Sequence, residues 1–180
     1  LTRQAARPDE TWRSLNELGI LYARSRSPGD ALRLFEESEQ RALDGGNRLG
    51  ATKALYNRAV LLDRQHRLDE AQELFARARA LSDSLGLRAL SLPLWIGQAS
   101  ILREKGRLLD ALRLYRKILR YEGDRSTGDE VVARNNMGEL YLLLGDPRKA
   151  RRHVILAHRA ARAIHDRFRV GLTLRLLGLI

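Results

Sequence analysis

Apolar and small residues recur at three- and four-residue steps along almost the whole chain, the spacing of one helix face. In "NELGILYARSRSPGDALRLFEES", residues 16–38, Leu15 (just ahead of the stretch), Leu18, Gly19 and Tyr22 share one face of a predicted first helix. Ala31, Leu34, Phe35 and Ser38 share one face of a predicted second helix. Between them "RSPGDA" carries stop and start signals, with Pro28 suited to a first helical turn, where a missing N–H costs nothing. The pattern predicts a helical hairpin with a small residue in each apolar stripe.

The hairpin recurs. Gly19, Ala59, Ala99, Gly138 and Gly178 are spaced by 40, 40, 39 and 40 residues, and Ala31, Ala71, Ala111 and Ala150 by 40, 40 and 39. Phe35, Phe75, Tyr115 and Val154 form a third column, Ser38, Ala78, Ile118 and Ala157 a fourth, and Tyr22, Leu62, Leu102 and Tyr141 a fifth. A fixed period in this range marks a stacked repeat, each unit burying its face against the next. Small residues let paired helices approach closely, and a larger side chain there overpacks the contact. The turns "QHRLDEA", "EKGRLLDA" and "LGDPRKA" match the first, Pro147 taking the place of Pro28.

These columns resemble the tetratricopeptide repeat over roughly residues 11–180, through Leu15, Leu18, Gly19, Tyr22, Ala31 and Phe35, then Trp95, Ala99, Leu102, Gly106, Ala111 and Tyr115, then Gly138, Tyr141, Gly145, Ala150 and Ala157. The resemblance implies an all-α, right-handed superhelical solenoid of antiparallel helix pairs: about four full repeats and a half repeat, one domain over 1–180. The units run 9–46, 47–86, 87–125, 126–165 and 166–180. The usual period is 34 residues and each unit usually closes on a Pro. Here the surplus falls after the second helix, in "ALDGGNRLG", "LSDSLGLRA" and "RYEGDRSTG", so longer helices are expected. Such longer units occur in peptide-sensing regulators, kinesin light chains, cell-polarity adaptors and bacterial multidomain regulators with ATPase or kinase modules. Pro93, inside the third unit's first helix, is expected to delay or kink it. Leu174, Leu176, Leu177, Leu179 and Ile180 lead us to expect a parent chain that continues, or as second choice an end-to-end dimer through the uncapped last helix.

Composition narrows the chemistry. Without Cys there are no disulfides, thiolate metal sites or Cys nucleophiles, which suits a reducing, cytoplasmic setting. No apolar run is long enough to span a membrane. The formal net charge of +11 favours acidic partners and brings nucleic acid into consideration. His66, His153, His158 and His165 lack metal-site spacing and read as helix-surface or turn residues, His66 in the turn column of Gly106 and Gly145. Glu36, Glu37 and Glu39 read as a solvated face. With no phosphate loop, serine elbow or HExxH, we expect no enzyme, cofactor or metal. The segment 146–169 is basic, and Arg148, Arg152, Arg159 and Arg162 lie near one face of a second helix as a convex patch.

The resemblance further implies that first helices line a concave groove for a peptide or partner segment. Carried over by position, its residues are Asn16, Glu17, Ile20, Ala23 and Arg24; then Lys53, Tyr56, Asn57, Val60, Asp63 and Arg64; then Ile96, Gly97, Ser100, Arg103 and Glu104; then Asn135, Asn136, Glu139, Leu142 and Leu143. Carboxamides suit a peptide backbone, and Arg24, Lys53, Arg64 and Arg103 suit acidic side chains. The competing reading is that these cations pair with Glu17, Asp63, Glu104 and Glu139. Trp95 is expected to pack between helices, and with Tyr56 alone as a groove aromatic, nucleic-acid binding ranks below protein binding. The array is expected to be an interaction scaffold, or a regulatory solenoid docking on other domains of its own chain.

Overall fold

A computed structural model describes residues 10–25, 27–86, 88–121 and 126–180, with residues 88 and 89 described by their helical backbone. The described residues form nine helices and no strand: α1 (Thr11–Arg24), α2 (Pro28–Asp44), α3 (Arg48–Arg64), α4 (Leu68–Ser84), α5 (Arg88–Glu104), α6 (Leu108–Leu119), α7 (Thr127–Leu143), α8 (Pro147–Ala163) and α9 (Arg167–Leu177). Six of them are 17 residues long. The surplus over the short repeat is thus absorbed into helix: Ala42–Asp44 extend α2, and Arg48–Gly50 already belong to α3. Glu122–Arg125 of the third surplus segment lie outside the described residues.

Three-residue turns follow α2, α3, α5, α7 and α8 and do two tasks at once. Their middle residue is left-handed: Gly46, Gly106 and Gly145, but also His66 (φ 59°) and His165 (φ 54°). The third residue's N–H reaches back to close the helix just ended, as Arg67 does to the Leu62 carbonyl at 3.0 Å and Asp146 to that of Tyr141 at 2.8 Å. It then caps the next helix where its side chain allows. Asn47, Asp146 and Asp166 accept from the backbone N–H of Gly50, Lys149 and Arg169. Ser126 and Asp129 form a reciprocal capping box at the start of α7.

The chain divides into two compact units, Leu1–Leu87 and Arg88–Ile180. Within the first, each helix packs on its successor and α1 also touches α3. Within the second, successive helices pack likewise, and α5 touches α7 as α7 touches α9. First helices therefore lie beside first helices in each unit. The small columns explain the closeness. A methyl on Gly19 would stand 2.6 Å from the Phe35 ring, and one on Gly138 would collide with Val154. Ala31, Ala71, Ala111 and Ala150 are fully buried. Ser38 is buried because its hydroxyl donates to the Trp12 carbonyl at 2.6 Å.

Several local expectations are corrected. The buried stripe of α1 is Trp12, Asn16 and Gly19, while Leu18 and Tyr22 are exposed, since a first helix has only its successors to cover it. Trp12, Thr52, Leu92 and Val131 form a further buried column at the same period, with Trp12 set against Gly50. Pro93 does not delay α5, which already starts at Arg88 and contains it. Trp95 meets Tyr121 edge-on at 5.5 Å with Lys117 over its ring, packing at the α5–α6 contact.

Candidate partner-binding faces

The first-helix face of the N-terminal unit is carried by α1 and α3. Asn16 is buried rather than presented outward, and it accepts a hydrogen bond from Asn57 at 2.9 Å. The two carboxamides that position assigned to a ligand satisfy each other. Glu17, Arg24, Lys53 and Arg64 are exposed, and no ion pair engages the three cations among the described residues. Tyr56 is half-buried with its ring edge-on to Phe75 at 6.0 Å; burial pushes its phenol up, with Arg64 pulling the other way. Arg58, in the column of Leu18 and Met137, turns aside to bridge Glu36 at 3.0 Å and Glu39 at 3.6 Å.

In the C-terminal unit the face is carried by α5, α7 and α9. Arg103 donates to Glu139 at 2.7 Å and to Glu104 at 2.8 Å. Here internal pairing describes the geometry, and Arg103 is a committed cation. Asn136 donates to the Tyr115 hydroxyl at 2.9 Å, tying α7 to α6.

Asn135 differs. Its amide nitrogen faces a Glu139 oxygen at 3.4 Å, and because a carboxylate only accepts, this fixes the carboxamide's orientation. Its carbonyl oxygen is then left buried with no hydrogen-bond partner among the described residues. That oxygen's residue lines a depression of about 380 Å³ between α7 and α9, walled by Val132, Leu172 and the exposed Phe168. Asp166 and Arg169 close one end as an ion pair with each other. An unpaired buried acceptor is costly, of order 1–3 kcal/mol, and a donor supplied by a ligand would recover it.

The basic residues of α8 also gather. Arg148, Arg152 and Arg159, with Arg151, line a shallow depression of about 460 Å³ floored by Ile155 and Leu156. Arg162, in the last turn, is exposed and does not line it. None of these five arginines makes an ion pair among the described residues.

The titratable clusters resolve into structure. Among the described residues no group of His, Asp and Glu is placed to hold a metal ion. His66 and His165 sit in turns, so His165 shares no helix face with His158, which instead meets the Thr173 hydroxyl at 3.0 Å. His153 is half-buried, stacked on Tyr141 at 5.4 Å with its Nδ1 unpaired. Its burial, and then Arg134, Arg152 and Arg116, hold its pKa below the ordinary value. Glu36 and Glu37 are exposed as expected, but Glu39 is buried and takes Arg77 at 2.6 Å. No described helix is long and apolar enough to cross a membrane.

Comparison with known proteins fits this geometry. The Tetratricopeptide repeat family model matches residues 10–84. No curated protein matches the chain. Among solved structures it is similar to BtubC (BKLC) from P. vanneervenii, with TM-score 0.74 and 18% identity over 91% of this chain and 68% of that one. It is also similar to the apo form of the quorum sensor NprR from B. thuringiensis, with TM-score 0.73 and 20% identity over 86% of this chain. The chain spans 44% of NprR, and likenesses at these identities bear on fold alone. The family model thus falls on α1–α4, whose helix pairs are tetratricopeptide repeats, and the same small-residue columns continue through α8.

Proposed function

We propose that this chain is a partner-binding module whose first-helix faces receive a peptide or an extended segment of another protein. Repeats of this family generally mediate protein–protein interaction. The observation that carries the reading here is the α7–α9 depression, where apolar side chains stand beside Asn135, whose carbonyl oxygen is buried without a hydrogen-bond partner among the described residues. A peptide meets both demands, because each residue brings an N–H beside a side chain. In the N-terminal unit the uncommitted Arg24, Lys53 and Arg64 favour a ligand with acidic positions. Tyr56 stands near Arg64 and Glu17 is exposed on α1, while Asn16, Asn57, Asn136 and Arg103 shape the faces through internal bonds.

A role in regulation within a longer protein is the second reading. It is supported by the likeness to NprR, a quorum sensor of which the chain spans less than half. Both readings concern binding, in keeping with a fold typically used without catalysis, and a cysteine-free chain suits the cytoplasm.

The test is selection of binders from a random peptide library, followed by affinity measurement on Asn135→Leu. That change keeps the side chain's size and removes the acceptor. Selected peptides should lose about tenfold in affinity, the worth of one hydrogen bond to a buried group. Unchanged affinity would remove the depression from the site.

A further inference from the structure

The positive charge of this protein is not spread over its repeats. Residues 1–87 hold 14 Lys and Arg against 13 Asp and Glu, whereas residues 88–180 hold 19 against 9, so +10 of the +11 lies in the C-terminal unit. Much of it is concentrated on second helices. On α6, Arg113, Arg116 and Lys117, with Arg120 at its C-cap, follow one another at helical spacing along one stripe. At the equivalent places of α8, 39 residues on, stand Arg152, Ile155, Leu156 and Arg159. In the N-terminal unit the same places hold Arg33, Glu36, Glu37 and Gln40 on α2, and Glu73, Ala76, Arg77 and Ala80 on α4. The repeat's architecture therefore does not require the basic stripe. Like charges three and four residues apart also disfavour the helix that carries them.

The two stripes share a second feature. The α6 cations rim an open depression of about 670 Å³ floored by Trp95 and Tyr121. The α8 cations rim the depression floored by Ile155 and Leu156. Tyr141 of α7 joins the two, its hydroxyl accepting from Arg116 at 3.0 Å and its ring stacking on His153 of α8. Of the α6 cations, Arg113 is held by Asp110 at 2.7 Å, while Lys117 and Arg120 meet no carboxylate among the described residues.

We infer that the α6 and α8 second-helix surface of the C-terminal unit docks an acidic, amphipathic segment of a partner protein. Its apolar side chains occupy the two floors and its carboxylates meet the arginine rims. The apolar floors select this occupant over nucleic acid. A phosphate backbone needs cations but no Ile155 and Leu156 between them. Arginine dominates the rims, and its planar fork suits carboxylates bidentately. This surface lies on second helices, so it does not rest on the first-helix reading above.

The probe is a fluorescent peptide of repeated Glu-Glu-Leu-Trp, titrated into the whole chain and followed by anisotropy. Its controls are the same peptide with Leu and Trp replaced by Ser, and an oligothymidylate of similar charge. The amphipathic peptide should bind at least about tenfold more tightly than the Ser version. Arg113→Glu with Arg120→Glu, and separately Arg152→Glu with Arg159→Glu, should each weaken it about tenfold or more. These are exposed positions, and circular dichroism confirms folding. Lys53→Glu with Arg64→Glu, on the first-helix face of the N-terminal unit, should leave this binding unchanged while weakening any peptide of the first-helix site. Tighter binding of oligothymidylate would overturn the proposal in favour of nucleic acid. Equal binding of the Ser peptide, or indifference to the α6 and α8 reversals, would overturn it outright, as would no binding of the amphipathic peptide.

Discussion

Arg77 of α4 reaches across to α2 and donates to the buried Glu39 carboxylate at 2.6 Å, while Arg58 of α3 approaches the other oxygen at 3.6 Å. Three helices of two successive hairpins thus meet on one carboxylate. The N-terminal unit is joined here by electrostatics as well as by packing. Because Glu39 is buried and both cations are partly exposed, the carboxylate is the sensitive member. Glu39→Ala should destabilise by about 2 kcal/mol and Arg77→Ala by about 1 kcal/mol, discounted for solvent at the arginines. Chemical denaturation of the two single variants and the double variant measures this. Additive losses would mean the pair contributes no coupling.

Gly19 faces the buried Phe35 ring with no room for a methyl group. Gly19→Ala should cost about 1–3 kcal/mol through overpacking, although alanine is the better helix former. Gly29, with open space around its would-be methyl, is the control: Gly29→Ala should be neutral or stabilise by about 0.5 kcal/mol. Equal behaviour of the two variants in thermal denaturation would contradict the packing account of the small columns.

His66 and His165 hold left-handed turn positions that glycine fills elsewhere in the repeat. Relief of that backbone conformation is worth about 1–2 kcal/mol and is partly offset by glycine's greater unfolded-state freedom. His66→Gly should therefore stabilise by about 0.5–1 kcal/mol, raising Tm by about 2–3 °C in a chain of this size. A fall in Tm would indicate that the imidazole makes a compensating contact.

His153 has a lowered pKa, first from burial and then from three arginines. The unfolded chain therefore takes up its proton before the folded one as pH falls. Stability from this residue is complete above the ordinary histidine value of about 6.5 and declines as pH drops from there through the folded pKa. An imidazole titration by NMR should put His153 below 6.5, and denaturation midpoints should fall between pH 7 and pH 5. A His153 titrating at or above 6.5 would contradict its placement between Tyr141 and the arginines.

The periodic columns were legible because packing at Gly19, Ala31 and Phe35 recurs with the repeat, so one sequence carries several copies of the same physical demand. Trp12, Thr52, Leu92 and Val131 obey the same period but do not stand out in the sequence, since their side chains share no chemical type. Side-chain pairing was far less legible. Asn16 with Asn57, and Glu39 with Arg77, join residues 41 and 38 positions apart, and each breaks the repeat rather than following it. Position alone placed Asn16 on a binding face; only the neighbouring helix shows that its oxygen is already taken. The α6 depression has a signal readable in the sequence, the concentration of net charge after residue 87.

Chemical-shift mapping of the isotope-labelled chain with a library-selected peptide tests the central claim most directly. The account predicts that the largest changes fall on the amides of Val132, Asn135, Leu172 and Thr173 and on the Asn135 side-chain amide, and that Asn135→Leu weakens them at equal peptide concentration. Changes confined to other elements, with α7 and α9 silent, would contradict it.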